Sequence, residues 1–171
     1  MTSPAPKISP IDAAARGEAT ALGAARAAEL RAANINPRTG LATDYLNHFN
    51  EAIMLLEMIP DLPDCADDFL SWEPLSYAEH FRASNFKARD LAIQAYDEAD
   101  PAIRGEFDGI TTTMTSILTA VGDAMRKVRH DNSRAQLAIQ ATGWVKPLVA
   151  HAGGIINGAD DEADVDRIMT A

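Results

Sequence analysis

The sequence predicts an all-α protein, on the strength of a long heptad repeat, a series of helix start and stop signals, and the lack of a convincing strand pattern. The repeat runs from residue 103 to residue 128 at alternating spacings of four and three residues. Its members are Ile103, Phe107, Ile110, Met114, Ile117, Val121, Ala124 and Val128. This spacing keeps one apolar seam on one side of a helix, so it predicts a long helix packed at a shallow angle against partner helices. The β-branched run 111–116 favours a strand locally, but the heptad around it predicts helix.

Start and stop signals divide the chain into four longer helices. Asp100 followed by Pro101 starts the heptad helix, because Asp is a preferred N-cap and proline suits the first helical position. Alanine dominates the first helix, which therefore has high helix propensity but few large side chains to bury. Pro147 is expected to kink or restart the last helix. The longer helices are predicted at 11–34, 41–59, 101–129 and 134–153. The seam of the last one is predicted on Leu137, Ala141, Trp144 and Leu148.

Three shorter helices are predicted between the second and third long ones, at 64–72, 76–83 and 85–98. Ser76 and Glu79 have the spacing of a capping box, in which each side chain satisfies the other residue's backbone amide. The predicted architecture is a helical bundle of three or four longer helices with a crossover of short helices. The predicted organisation is a disordered leader at 1–10, one domain at 11–157 and an acidic tail at 158–171.

Composition bounds the class of protein. The chain has 171 residues, of which 47% are hydrophobic and 23% charged, which suits one folded domain. The net charge of −10 repels phosphate backbones and disfavours nucleic-acid binding. No stretch approaches 18 consecutive apolar residues, so no membrane span is predicted. A single cysteine, Cys65, and an N-terminus without an apolar run after Lys7 lead us to expect a cytoplasmic protein.

A polar stripe on the second helix is a candidate metal site. Asp44, His48 and Glu51 stand at i, i+4 and i+7, which places them on one face of a helix, and carboxylates with imidazole suit a divalent metal ion. A further ligand would have to come from another helix, with His80 the first choice and Glu79 the second. The alternative is that Asp44 charges the helix start while His48 and Glu51 flank the core. No cofactor other than this metal is predicted.

Aromatic residues concentrate in the crossover, where six of the ten lie between positions 69 and 96. One interpretation is that they fill the irregular end of a bundle. The other is a ligand pocket with an acidic rim, to which the threonines of the heptad helix would add hydroxyl groups. The pocket candidates are Trp72, Tyr77, Phe81, Thr111 and Thr115.

No catalytic signature is present: the chain lacks a nucleophile elbow, and Cys65 lies beside Asp64 and Asp67, whose charges disfavour a thiolate. The leading hypothesis is a non-enzymatic regulatory or protein-interaction module that binds a protein partner or a second copy of itself. It rests on that lack of chemistry, on the alanine-rich first helix and on the acidic tail. The two alternatives are a metal-dependent helical enzyme using Asp44, His48 and Glu51, and a small-molecule-binding helical domain.

Overall fold

The computed structural model describes residues 4–6 and 9–158, and this part of the chain is all-α, which confirms the predicted fold class. A single turn of 3₁₀-helix at Thr43–Tyr45 leads into α2, and extended pairing among the described residues is limited to an isolated antiparallel bridge between Ile35 and Ala42. The helices are α1 (Pro10–Ala32), α2 (Leu46–Met58), α3 (Cys65–Ser71), α4 (Tyr77–Ala83), α5 (Arg89–Glu98), α6 (Pro101–Lys127) and α7 (Asp131–Asn157).

Two predicted helix starts are confirmed in detail. The Asp100 carboxylate accepts a hydrogen bond from the amide of Ala102 at 2.8 Å, with Pro101 as the first residue of α6. Ser76 and Glu79 form the complete capping box at the start of α4. Both signals depend only on residues within one turn, so the local sequence determines them.

The last helix departs from its prediction. It begins at Asp131 rather than residue 134, passes through Pro147 without a break, and ends at Asn157 rather than residue 153. Its final turns continue because they are packed: Ala152 and Ile156 are buried, and a Cβ added at Gly153 would lie 3.8 Å from Leu46 of α2. Packing of an apolar face therefore outweighs the poor helix propensity of glycine.

The loop after α1 joins three parts of the molecule. Asn34, with a φ of 60°, ends α1 in a Schellman motif, in which the amide of Ile35 donates to the carbonyl of Leu30 at 2.9 Å. Gly40 has a φ of 70°, and a Cβ there would lie 2.7 Å from the carbonyl oxygen of Ala95 in α5. The hydroxyl of Thr39 donates to the carbonyl of Ile156 at 2.7 Å. The loop thus fixes the end of α1 against α5 and the end of α7.

The core lies mainly between α2, α6 and α7. Helix α7 packs against α6 and α2, and α3 packs against both α2 and α6. Within the described residues, α1 makes only minor contact with other helices. The largest fully buried side chains include Phe49, Leu56, Phe81, Phe107, Met114, Leu118, Met125, Val145 and Ile156.

The predicted seams are correct at Phe107, Met114, Val121 and Ala141, which are buried, but alternate positions are displaced by one residue. In α6, Ile117 is only partly buried, whereas Leu118 is 1% exposed, so the placement of Ile117 in the buried seam is wrong. In α7, Trp144 is 55% exposed, and Val145 takes the buried position. Neighbouring positions on a helix differ by about 100°, and both helices carry apolar residues on two adjacent rows, so the packing of their neighbours selects the row that is buried.

None of the helices in the described residues is both long and apolar enough to cross a lipid bilayer. Gly158 terminates α7, and the rest of the predicted acidic tail, 159–171, lies outside the described residues. The same holds for positions 1–3, 7 and 8 of the predicted leader.

Candidate functional site

His48, the central residue of the predicted metal stripe, is buried and already bonded. Its Nε2 accepts a hydrogen bond from the amide of Leu75 at 2.9 Å, and its ring stacks on Trp72 at 4.6 Å between centroids. Burial, together with a smaller effect of the nearby His80, lowers the pKa of His48 from 6.5 to about 4. The imidazole is therefore neutral, with the proton on Nδ1. A metal ion at Nε2 would have to displace the Leu75 amide.

The other predicted metal ligands lie in different environments. Asp44 lies in the 3₁₀ turn rather than in α2, and its carboxylate is 3.0 Å from Nε2 of His80. Glu51 is exposed, and Glu79 is used in the capping box of α4. In the described part of the chain, no group of three or more His, Cys, Asp or Glu side chains is placed to hold a metal ion. The structure thus pairs Asp44 with His80 but does not bring Glu51 to them.

A second candidate site is a partly open cavity of about 410 Å³ between α6, the end of α5 and the segment that leads into α4. We call it the tyrosine–threonine pocket. Its walls combine aromatic rings, hydroxyl groups and one carboxylate. The lining residues are Tyr45, Pro74, Leu75, Ser76, Tyr77, Tyr96, Asp108, Thr111, Thr112, Thr115 and Ser116.

The three tyrosines of the tyrosine–threonine pocket are fixed by hydrogen bonds. The hydroxyl of Tyr45 donates to the carbonyl of Leu75 at 2.7 Å, and that of Tyr77 accepts from the amide of Ala42 at 2.9 Å. The hydroxyl of Tyr96 lies 2.6 and 2.7 Å from the two carboxylate oxygens of Asp108. Burial is the main cause that raises the pKa of Tyr45 to about 12 and those of Tyr77 and Tyr96 further. All three phenols are therefore protonated at neutral pH.

The α6 wall differs from the tyrosines because several of its hydroxyl groups have no hydrogen-bond partner among the described residues. Thr111 donates to the carbonyl of Asp108 at 3.1 Å, and Thr113, which lies off the pocket, donates to the carbonyl of Gly109 at 2.9 Å. Within the described residues, the hydroxyls of Thr112, Thr115 and Ser116 have no such protein partner. The wall thus presents hydrogen-bonding groups that another molecule can use.

The structure brings together three of the five predicted pocket residues. Tyr77, Thr111 and Thr115 line the tyrosine–threonine pocket. Trp72 stacks on His48 and lines a neighbouring cavity, and Phe81 is completely buried.

The sequence prediction missed Tyr45, Tyr96 and Asp108 as lining residues. A signal for Asp108 is present in the sequence: residues 108, 111, 112 and 115 stand at i, i+3, i+4 and i+7, which defines a polar row beside the apolar seam. Tyr45 carries no such signal, because only the tertiary contact between the 3₁₀ turn and residues 75–77 brings it to α6.

The fold and the site together define an all-α domain with a half-open pocket of aromatic and hydroxyl groups beside a single carboxylate. No family model matches the chain, and neither a curated protein nor a solved structure does so.

Proposed function

We propose that this chain is a helical domain that binds a small organic molecule in the tyrosine–threonine pocket. The observation that carries the proposal is a partly enclosed cavity of about 410 Å³ whose α6 wall has hydroxyl groups without a protein partner. Small-molecule sites generally occupy about 300–1,000 Å³ and combine apolar walls with a few placed polar groups. The volume and the lining of this pocket both fit that description.

The lining favours binding over catalysis. The phenols of Tyr45, Tyr77 and Tyr96 are protonated and are used in structural hydrogen bonds. The described lining residues include no cysteine, histidine or lysine that would act as a nucleophile or a base near neutral pH. In this proposal α2, α6 and α7 form a small bundle that acts as a rigid scaffold, and the crossover of short helices supplies the opposite wall.

A ligand-detected NMR screen of small polar and aromatic molecules against the full-length protein tests the proposal. Thr115→Val keeps the shape of the side chain but removes its hydroxyl from the pocket. The matched control is Thr113→Val, on the same helix but off the pocket. We expect hits whose affinity falls about tenfold in Thr115→Val, the effect of one lost hydrogen bond, and is unchanged in Thr113→Val. A screen without hits, or hits that respond equally to both substitutions, would contradict the proposal.

A second candidate function is self-association through α1, which continues the interaction-module hypothesis. It is favoured by the exposure of this helix: Ile11 is 80% and Leu22 72% exposed. A second copy of the chain is the proposed partner, because small residues along α1 allow two such helices to approach closely. Sedimentation of the full-length protein and of an Ile11→Glu, Leu22→Glu variant tests it. A concentration-dependent dimer that the double variant abolishes is the expected result, and a strict monomer at all concentrations would exclude this function.

A further inference from the structure

On the basis of the proposed function, we infer that the ligand of the tyrosine–threonine pocket is a small organic cation, such as a primary or quaternary amine. Three features of the walls lead to this inference: a carboxylate without an ion-pair partner among the described residues, negative charges around the tyrosines, and a concentration of aromatic rings. Each feature selects a ligand by its charge rather than by its shape.

Asp108 is the single charged residue among the described lining residues. Its two carboxylate oxygens share one donor, the hydroxyl of Tyr96, so lone pairs remain on both oxygens. A cation close to the pocket is Arg104, whose guanidinium lies 5.8 Å from the centre of the Tyr96 ring. That group donates to the carbonyls of Tyr96 and Asp97 at the end of α5, at 3.4 and 2.9 Å. Arg104 therefore uses its hydrogen bonds at the end of α5 and forms none with the Asp108 carboxylate.

Further carboxylates act on the same pocket from its other side. Besides burial, the charges of Asp108 and Glu79 raise the pKa of Tyr45, and the charge of Asp44 contributes in the same direction to that of Tyr77. These effects come from three different segments of the chain. At Tyr96 the positive charge of Arg104 opposes them, but the charge of Asp108 has the larger effect, so carboxylates dominate the electrostatics of the pocket. An anionic ligand would be repelled there, whereas a cation would be attracted.

The aromatic rings fit the same ligand. Tyr77 stacks on Tyr96 at 4.5 Å between centroids, and Tyr45 meets Tyr77 edge to face at 5.1 Å. Tyrosine rings attract alkylammonium groups through the negative charge on their faces, and this attraction increases when water is excluded. Arg104 already lies over the Tyr96 ring, so a ligand would meet the tyrosines at the parts of their rings that line the pocket. An amine that retains N–H groups can also donate to the hydroxyls of Thr112 and Thr115.

Calorimetric titration with three probes of nearly equal size tests the inference. The cationic probe is choline. The neutral probe is 3,3-dimethyl-1-butanol, in which a tert-butyl group replaces the trimethylammonium group, and the anionic probe is 3,3-dimethylbutanoate. We expect choline to bind at least about tenfold more tightly than the neutral analogue, and the anion not to bind. In Asp108→Asn the affinity for choline should fall to that of the neutral analogue. Asp123→Asn, on the exposed side of α6, should change neither affinity.

The outcomes separate this inference from the proposed function. Equal binding of choline and the neutral analogue, or an unchanged choline affinity in Asp108→Asn, would overturn the cation inference. Absence of choline binding would also overturn it. In these cases the proposed function stands if neutral or anionic hits from the screen bind more weakly to Thr115→Val than to the wild type. It falls if no molecule shows this loss of affinity. Thermal unfolding of each variant establishes that the folded state is retained.

Discussion

Helices α1 and α6 have similar lengths, 23 and 27 residues, but very different surroundings. The described side chains of α1 are exposed from Pro10 to Glu29, except for the partly buried Arg26 and Ala27, and only Leu30 is buried. α6 buries seven residues on one side, among them Phe107, Met114 and Leu118. Alanine favours a helical backbone but offers little area to bury, whereas large apolar side chains place a helix in a core. Helix formation and core formation are thus separate consequences of the sequence.

Leucine substitutions in the two helices should give the largest measurable difference in stability between them. Leu118→Ala in α6 should lower the free energy of unfolding by about 2–5 kcal/mol, because it removes buried methyl groups and leaves a cavity. Leu22→Ala in α1 should change it by less than about 0.5 kcal/mol, since this leucine is 72% exposed. The loss of stability in Ile117→Ala, at the partly buried neighbouring position, should lie between those of the other two variants. Urea denaturation measures all three, and similar losses at Leu118 and Leu22 would mean that α1 belongs to the core.

The second prediction concerns the pH dependence of stability, which should arise in the packed part of the molecule. The pKa of His48 is about 4 in the folded state and near 6.5 when the chain unfolds. Below pH 6.5 the unfolded state therefore binds a proton that the folded state does not bind. The stability that His48 provides is complete above pH 6.5 and is lost as the pH falls towards 4, by up to about 3 kcal/mol.

Urea denaturation between pH 7 and pH 4 measures this dependence. His48→Gln should flatten the decline between pH 6.5 and 4, even where it lowers stability at every pH. His151→Gln, which changes an exposed histidine of α7, should leave the decline as it is. An identical pH profile for the wild type and His48→Gln would show that His48 is not the group responsible.

The same distinction between local and tertiary effects explains how much the sequence could predict. The starts of α4 and α6 follow from Ser76, Glu79 and Asp100, whose bonding partners are within three residues in the chain. The buried row of α6 could not be resolved, because Ile117 and Leu118 are equally apolar and only the neighbouring helices distinguish them.

The candidate site was predictable to a similar degree. The threonine row and Tyr77 follow from composition and helical spacing, so a polar and aromatic pocket was a reasonable expectation. The proposed metal stripe assumed that Asp44 is part of α2, but it lies in a 3₁₀ turn and pairs with His80. The bond between His48 and the Leu75 amide joins segments 27 residues apart, which no periodic pattern in the sequence can reveal.

Removal of most of α1 is the prediction with the smallest expected effect. A chain that begins with a new initiator methionine before residue 26 retains Leu30 and the Schellman motif at Asn34, so the loop against α5 and α7 keeps its anchor. Such a truncation should change the free energy of unfolding by less than about 1 kcal/mol, since surface contacts of this kind contribute little. It should leave the pH dependence due to His48 unchanged, because that residue contacts α4 and the segment around Leu75 rather than α1.

Circular dichroism of the truncated protein should show a loss of helical signal with an intact cooperative transition. If the truncated protein instead unfolds without cooperativity while the full-length protein is a monomer, α1 is an integral part of the core and the contrast with α6 does not hold.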